Sequence, residues 1–264
     1  MFGFTPHSGF QLGPLAITSH GLFFILGALV ARALARRRLD SKERRLLDEA
    51  VGLMVIGAGL GARVTYLISH PFMWSQPAQW WKFWQGGMVS YGGLAGAVVA
   101  LRLFRRRKHL ASLPLPDILS PALLAGWGVG RLGCFLTWYG EEGKPTHLPW
   151  SILVDGTPHH PVQIYLVLML WTGSLVLSCR DCPRPGERTA LCLIWYAAAR
   201  GFSDLFRVYE PAYLEILSQL TCLAIAATAA AWYTRIRSRK DSECNVWKLD
   251  SEASHHRERN DDGI

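Results

Sequence analysis

The chain has 264 residues, of which half are hydrophobic and only 18% charged, with 25 glycines, 11 tryptophans and a formal charge of +8. This excludes a disordered chain, a collagen-like repeat and a small cysteine-stapled module. The cations fall in four short clusters, each beside a long apolar block; that is the pattern of membrane-protein loops and disfavours nucleic acid as a partner.

Crossing about 30 Å of hydrocarbon takes about 20 helical residues. By that measure the predicted spans are, in chain order, Leu15–Leu34, Ala50–Ile68, Gly87–Phe104, Ile118–Phe135, Val162–Leu177, Thr189–Phe206 and Tyr213–Trp232. The expected fold is therefore an all-α polytopic membrane protein with about seven transmembrane helices. The first cluster is Arg36, Arg37, Arg38, Lys42, Arg44 and Arg45; the second is Arg105 to Lys108. The third is Arg180, Arg184 and Arg188, and the fourth Arg235, Arg237, Arg239 and Lys240. With seven spans all four fall on one side, and the positive-inside rule makes that side cytoplasmic, with the N-terminus outside and the C-terminus inside. The expected organisation is one membrane domain, 1–235, followed by a polar cytoplasmic tail, 236–264. The start MFGFTPHSGF lacks the basic n-region of a cleavable signal peptide.

Between the second and third spans, Trp74, Trp80, Trp81 and Trp84 crowd one loop. Tryptophan favours the headgroup zone, so this loop reads as an interfacial anchor, or as a flap over a lipid entrance. Of six cysteines, Cys179 and Cys182 form a CxxC in a basic loop. A zinc site needs further ligands that the neighbourhood does not supply, so neither metal nor cofactor is expected.

Ionisable residues inside apolar spans are the useful signal. Arg63 lies late in the second span, Asp117 opens the fourth and Arg131 lies near its far end. In the sixth, Tyr196, Arg200 and Asp204 are spaced four and four, which puts them on one helical face. Arg200 and Asp204 read either as an ion pair that makes a buried helix tolerable, or as an anion-binding arginine held by its carboxylate. Arg131 either snorkels to the surface or holds a phosphate. Guanidinium forks match phosphate geometry, so two arginines in the outer half of a bundle suit a phospholipid headgroup. Glycines crowd GWGVGRLG and SYGGLAG, and His160-Pro161 precedes Gln163 at the start of the fifth span.

Several segments together resemble the prolipoprotein diacylglyceryl transferase family: GARVTYLISH, GGMVSYGGLAG, DILSPALLAGWGVGRLGCFL, GKPTHLPW followed by HHPVQIY, and YAAARGFSDLFR. The resemblance runs over about residues 15 to 235. It implies a cofactor-free enzyme of the bacterial plasma (inner) membrane. Such an enzyme moves the diacylglyceryl group of phosphatidylglycerol onto the lipobox cysteine thiol of a preprolipoprotein, releasing glycerol 1-phosphate. It implies catalytic roles for Arg131, Arg200, Asp204 and Tyr196, with Tyr91 at the position of the family's His; His20, whose imidazole titrates nearest neutrality, is a further candidate proton handler at a similar depth. Substrate binding falls to Arg63, Gly92, Gly93, Gln163, Cys134 and His160. The chain departs from the family pattern at Ser19-His20-Gly21 in place of Trp-Tyr-Gly, at Tyr91 in place of His and at Asp204 in place of Glu. An inactive or altered-substrate homologue, or a lipid-binding or transport protein using the same arginines, is the alternative reading.

Overall fold

The computed structural model describes residues 2–3, 9–12, 15–75, 77–80, 90–108, 114–138, 143–210 and 213–238. The predicted Trp81–Trp84 part of the interfacial loop and nearly all of the polar tail lie outside these residues. Seven helices of 18 residues or more are described: α1 Ser19–Arg36, α2 Ser41–Ser69, α3 Ser90–Arg107, α4 Leu115–Thr137, α5 Val162–Cys179, α6 Glu187–Asp204 and α7 Tyr213–Ser238. Of these, α2, α4, α5 and α7 are long and apolar enough to cross a membrane, and the chain is an all-α polytopic membrane protein. Arg102 and Arg105 to Arg107 in α3, and Glu187, Arg188, Arg200 and Asp204 in α6, dilute the apolar signal of those two helices.

Two compact units make up the chain, one of residues 38–113 and the other of residues 1–37 and 114–264. In the smaller unit α2 packs on α3. Asp40 opens α2 with a reciprocal capping box: its carboxylate accepts from the Glu43 N–H at 2.8 Å, and the Glu43 carboxylate accepts from the Asp40 N–H at 3.1 Å. That cap starts α2 at Ser41, nine residues before the predicted span, because the polar Lys42–Glu49 stretch continues the helix beyond its apolar part. Gly57 and Gly61 face Gly96 and Gly92 so closely that a Cβ on any of them would strike backbone or side chain of the other helix.

In the larger unit α4 packs against α1, α5 and α6, and α6 packs on α7. Gly27 of α1 meets Gly126 of α4 backbone to backbone, and Phe24 faces Gly130, so α1 and α4 run antiparallel. Trp171 Nε1 donates to the Ala125 carbonyl at 3.2 Å and the Ser174 hydroxyl to the Pro121 carbonyl at 2.7 Å, so α5 is also antiparallel to α4. Trp195 Nε1 donates to the Met169 carbonyl at 2.8 Å and Arg188 Nε to the Leu177 carbonyl at 3.1 Å, which makes α6 antiparallel to α5 and parallel to α4.

One carboxylate joins the first turns of the two parallel helices. Asp117 accepts from the Gly186 N–H at 2.5 Å, the Thr189 N–H at 2.8 Å and the Thr189 hydroxyl at 2.6 Å. A buried anion there meets the unsatisfied N–H groups at the start of α6. Asp117, flagged in the sequence as an ionisable residue inside a span, is thus a helix clip.

Short strands decorate the other end. β1 (Phe2–Gly3) pairs in parallel with β4 (Ile152–Val154), β4 pairs antiparallel with β5 (Thr157–His159), and β2 (Gly9–Leu12) pairs antiparallel with β3 (Leu15–Thr18). The first predicted span therefore loses Leu15–Thr18 to a strand. Asp155 and Gly156, both at positive φ, close the β4–β5 hairpin as a two-residue turn. Trp138 ends α4 in the left-handed conformation, and its buried ring packs with Ile152 and Val154 under the hairpin.

Candidate functional site

The helix directions sort the polar residues of the larger unit into two groups. Around the Asp117 clip lie Arg184 and Arg188, the Arg36 end of α1, and the Arg237 end of α7, where Arg237 Nη1 donates to buried Glu187 at 3.3 Å. Counted along the helices from that clip, Arg131 stands roughly 21 Å up α4 and Arg200 roughly 17 Å up α6. Gln163, 1% exposed in the first turn of α5, lies at the same end through the antiparallel register. The structure thus brings Arg131, Cys134, Gln163, Arg200 and Asp204 to one end of the unit, opposite Arg36, Arg184, Arg188 and Arg237.

Arg131 lies beside Cys134, one turn on, with Nη1 3.8 Å from the buried sulfur. Its guanidinium sits 5.6 Å from the centre of the Trp127 ring, four residues back on the same face. These partners keep the cation inside the helix bundle.

Arg200 Nε donates to Asp204 Oδ2 at 3.2 Å, as the i, i+4 spacing requires. The Arg200 side chain is 17% exposed and Asp204 is fully buried. Two residues that sequence reasoning did not single out complete the arrangement. Arg200 Nη2 donates to the Tyr209 hydroxyl at 3.3 Å, Tyr209 donates to Ser218 Oγ at 3.3 Å, and Ser218 donates to Asp204 Oδ2 at 2.6 Å. Tyr209 lies in the connector after α6. Burial raises its phenol pKa; its hydrogen bond to Ser218 and the positive charge of Arg200 act in the opposite sense. The only sequence signal for Ser218 is a hydroxyl residue inside the apolar run of α7. Tyr196, one turn before Arg200, packs against the apolar cluster of Leu124, Leu166, Leu170 and Ala199.

His160 lies just before α5. Its Nδ1 lies 3.1 Å from the Tyr165 hydroxyl, which also accepts from Trp150 Nε1 at 2.8 Å. The imidazole packs against Phe206, with ring centres 5.0 Å apart, and burial lowers its pKa. The Lys144 N–H donates to the Phe206 carbonyl at 2.7 Å, and Gly143 pairs with Arg207, so the 143–160 loop is laced to the end of α6. A side chain at Gly143 would collide with the His160 backbone.

The remaining predicted residues belong elsewhere or lie outside what is described. In the register set by Phe24 and Gly27, His20 occupies the end of α1 level with Cys134; its side chain, like that of Tyr91, is outside the described residues. Arg63 and the Gly92–Gly93 pair fall in the smaller unit. Arg63 is buried, donates from Nε to the Trp80 carbonyl at 2.9 Å and lies 5.4 Å from the Tyr66 ring centre, so it pins the Trp-rich loop. Gly92 accommodates Thr65, which a Cβ would strike. Among the described residues no group of three or more His, Cys, Asp or Glu could hold a metal.

Chemically, this end of the larger unit offers two arginines inside a bundle, one held by a buried carboxylate and one over an indole. The prolipoprotein diacylglyceryl transferase family model matches residues 8–235. A phosphatidylglycerol–prolipoprotein diacylglyceryl transferase of Aromatoleum aromaticum is 34% identical over 79% of this chain and 84% of its own length. Proteins of the same description from Nitrosospira multiformis and Pseudoalteromonas atlantica are each 31% identical, over 79% and 90% of this chain and 76% and 92% of their own lengths. With the match running from before α1 almost to the end of α7, the chain belongs to the prolipoprotein diacylglyceryl transferase family.

Proposed function

We propose that the chain transfers the diacylglyceryl group of phosphatidylglycerol to the lipobox cysteine thiol of a preprolipoprotein, at the outer face of a bacterial plasma membrane. In this reading all seven helices span, the N-terminus faces outward and the basic clusters face the cytoplasm. The membrane domain is 1–235, and the tail from 236 is cytoplasmic.

The substrate thiolate attacks the glyceryl carbon that bears the phosphate. A carbon–sulfur bond forms, the carbon–oxygen bond breaks, and its electron pair leaves on the phosphate of glycerol 1-phosphate. The thiol, with an ordinary pKa of about 8.5, must first lose its proton. His20 and Tyr91 are the groups assigned to that proton. Asp204 is better placed to hold Arg200 than to serve as base, since a carboxylate paired with a guanidinium is a weak base. Arg131 and Arg200 grip the phosphate and stabilise the charge on the departing oxygen. Fixed donors in a water-poor site do this without reorganising. Tyr196 lines the same helical face. Gln163, Cys134 and His160 shape the lipid and peptide site, and the family resemblance extends substrate binding to Arg63, Gly92 and Gly93.

The observation that carries the reading is the placement of Arg131 and Arg200 at one end of the larger unit, away from Arg36, Arg184, Arg188 and Arg237 around the clip. The test is transfer of radiolabelled diacylglyceryl from phosphatidylglycerol to a lipobox peptide. Wild-type protein yields thioether, while Arg131→Ala and Arg200→Ala each lose about 10²–10³ in rate, the usual cost of removing one preorganised donor. Wild-type protein without product, in an assay where a relative is active, sinks the enzyme reading.

A further inference from the structure

The Arg200–Asp204 pair is not self-contained. Asp204 Oδ1 is buried with no hydrogen-bond partner among the described residues, so the whole carboxylate is supported through Oδ2. That oxygen takes two donors from different helices, Arg200 Nε of α6 and Ser218 Oγ of α7. From the neighbouring nitrogen on the same edge, Nη2 reaches the same oxygen through a chain of hydroxyls: Arg200 to Tyr209, Tyr209 to Ser218, Ser218 to Asp204. Every proton in this ring points the same way, toward the carboxylate, so each hydroxyl both accepts and donates. Such a directed chain polarises its members mutually. The ring occupies the Nε and Nη2 edge of the guanidinium. Nη1 has no hydrogen-bond partner among the described residues, which leaves that end to meet a ligand.

The ring's two hydroxyls are themselves held. The Tyr209 ring lies under the Arg207 guanidinium, 5.0 Å from its centre, and Arg207 pairs through its backbone with Gly143. Beside Ser218, Gln219 Nε2 donates to the Gly201 carbonyl at 3.0 Å, fixing α7 against α6 at this level. An aspartate is one methylene shorter than a glutamate and reaches less far, and here a second helix supplies the contact that completes its hold.

We propose that Ser218 and Tyr209 are positioning residues of the transfer reaction: together with Asp204 they fix the Arg200 guanidinium so that its Nη1 edge is aimed at the lipid phosphate. This rests on Arg200 acting on that phosphate as set out above. Neither hydroxyl needs to touch substrate. The value of an arginine as a phosphate ligand lies in the orientation of its planar fork, and a fork held at both Nε and Nη2 cannot swing.

The test uses the full-length purified protein in phosphatidylglycerol-containing micelles with a lipobox peptide. It reads kcat and KM for Ser218→Ala, Ser218→Thr, Tyr209→Phe and the Ser218→Ala/Tyr209→Phe double variant, and places Ser218→Ala also in an Arg200→Lys background. The expected result is a fall of about tenfold in kcat for each hydroxyl deletion, the scale of one hydrogen bond to a charged group. Ser218→Thr restores the rate, and the double variant falls no further than the worse single, because either deletion opens the ring. Lysine cannot make the contact through two nitrogens, so Ser218→Ala has no further effect in the Arg200→Lys background. Wild-type rates for Ser218→Ala and Tyr209→Phe overturn the proposal. So does the same tenfold loss in the Arg200→Lys background, which marks a general structural effect, or failure of Ser218→Thr to rescue. If Ser218→Ala does not fold, Tyr209→Phe and Ser218→Thr decide alone. If Arg200→Lys is as active as wild type, the role given to Arg200 falls. If Arg200→Lys is impaired and the hydroxyl variants are not, only the positioning proposal falls.

Discussion

Replacing Asp117 with asparagine probes the clip that sets α4 and α6 side by side. The carboxylate takes three hydrogen bonds, from the Gly186 and Thr189 backbone and the Thr189 hydroxyl, and is almost fully buried. Asparagine keeps one acceptor oxygen but turns an NH2 toward N–H donors and removes the charge from the start of α6. Hydrogen bonds to charged groups contribute about 1.5–3 kcal/mol each and do not add fully, so the expected loss is about 3 kcal/mol. Thr189→Val removes only the hydroxyl and should cost about 1.5 kcal/mol. Equilibrium unfolding in mixed micelles, followed by tryptophan fluorescence, measures both. An Asp117→Asn variant within about 0.5 kcal/mol of wild type, the range of ordinary surface changes, would refute the clip. So would a Thr189→Val variant that is the more damaged of the two.

Two further outcomes follow from the fold. Gly126→Ala puts a methyl against the Gly27 carbonyl, with backbone on both sides unable to yield cheaply, and should cost about 1–3 kcal/mol. Gly52→Ala, which meets nothing within 4 Å, should be neutral or stabilising in the same unfolding assay, and equal stability of the two variants would contradict the close approach. Burial lowers the His160 pKa in the folded protein, so below the ordinary histidine range the unfolded chain binds the extra proton. Stability from this residue therefore falls as pH drops from about 6.5 toward the lowered folded value, and is regained as pH rises. A thermal unfolding series from pH 7.5 to 5.5 should slope less steeply for His160→Asn than for wild type; parallel slopes would remove His160 as the cause.

The helices were legible in the sequence because a membrane span needs a long apolar run, and apolar runs survive any tertiary arrangement. Their ends were less so. α2 begins at a capping box rather than at the first apolar residue, and Leu15–Thr18 is apolar enough for a helix yet pairs with Gly9–Leu12 as a strand. Within the site, the four-residue spacing exposed the Arg200–Asp204 pair, since that contact lies on one helix. The Ser218 hydroxyl was hidden, since it reaches the pair only once α7 has folded back onto α6, and that of Tyr209 because it comes from the connector beyond the helix, where no periodic spacing applies. Arg63 illustrates the same limit: its Nε holds the backbone of the Trp-rich loop, a contact across 17 positions that no local pattern encodes.

The central place of α4 implies an uneven tolerance of change. Of its apolar stretch 61% is buried, against 11% for α7 of the same unit. Swapping one aliphatic side chain for another along the exposed stripe of α7 disturbs no other helix. The same exchange in α4 must be absorbed at once by three neighbouring helices, and it moves Arg131 with them. Drift in this lineage should therefore accumulate on the outer face of α7, while α4 stays nearly fixed.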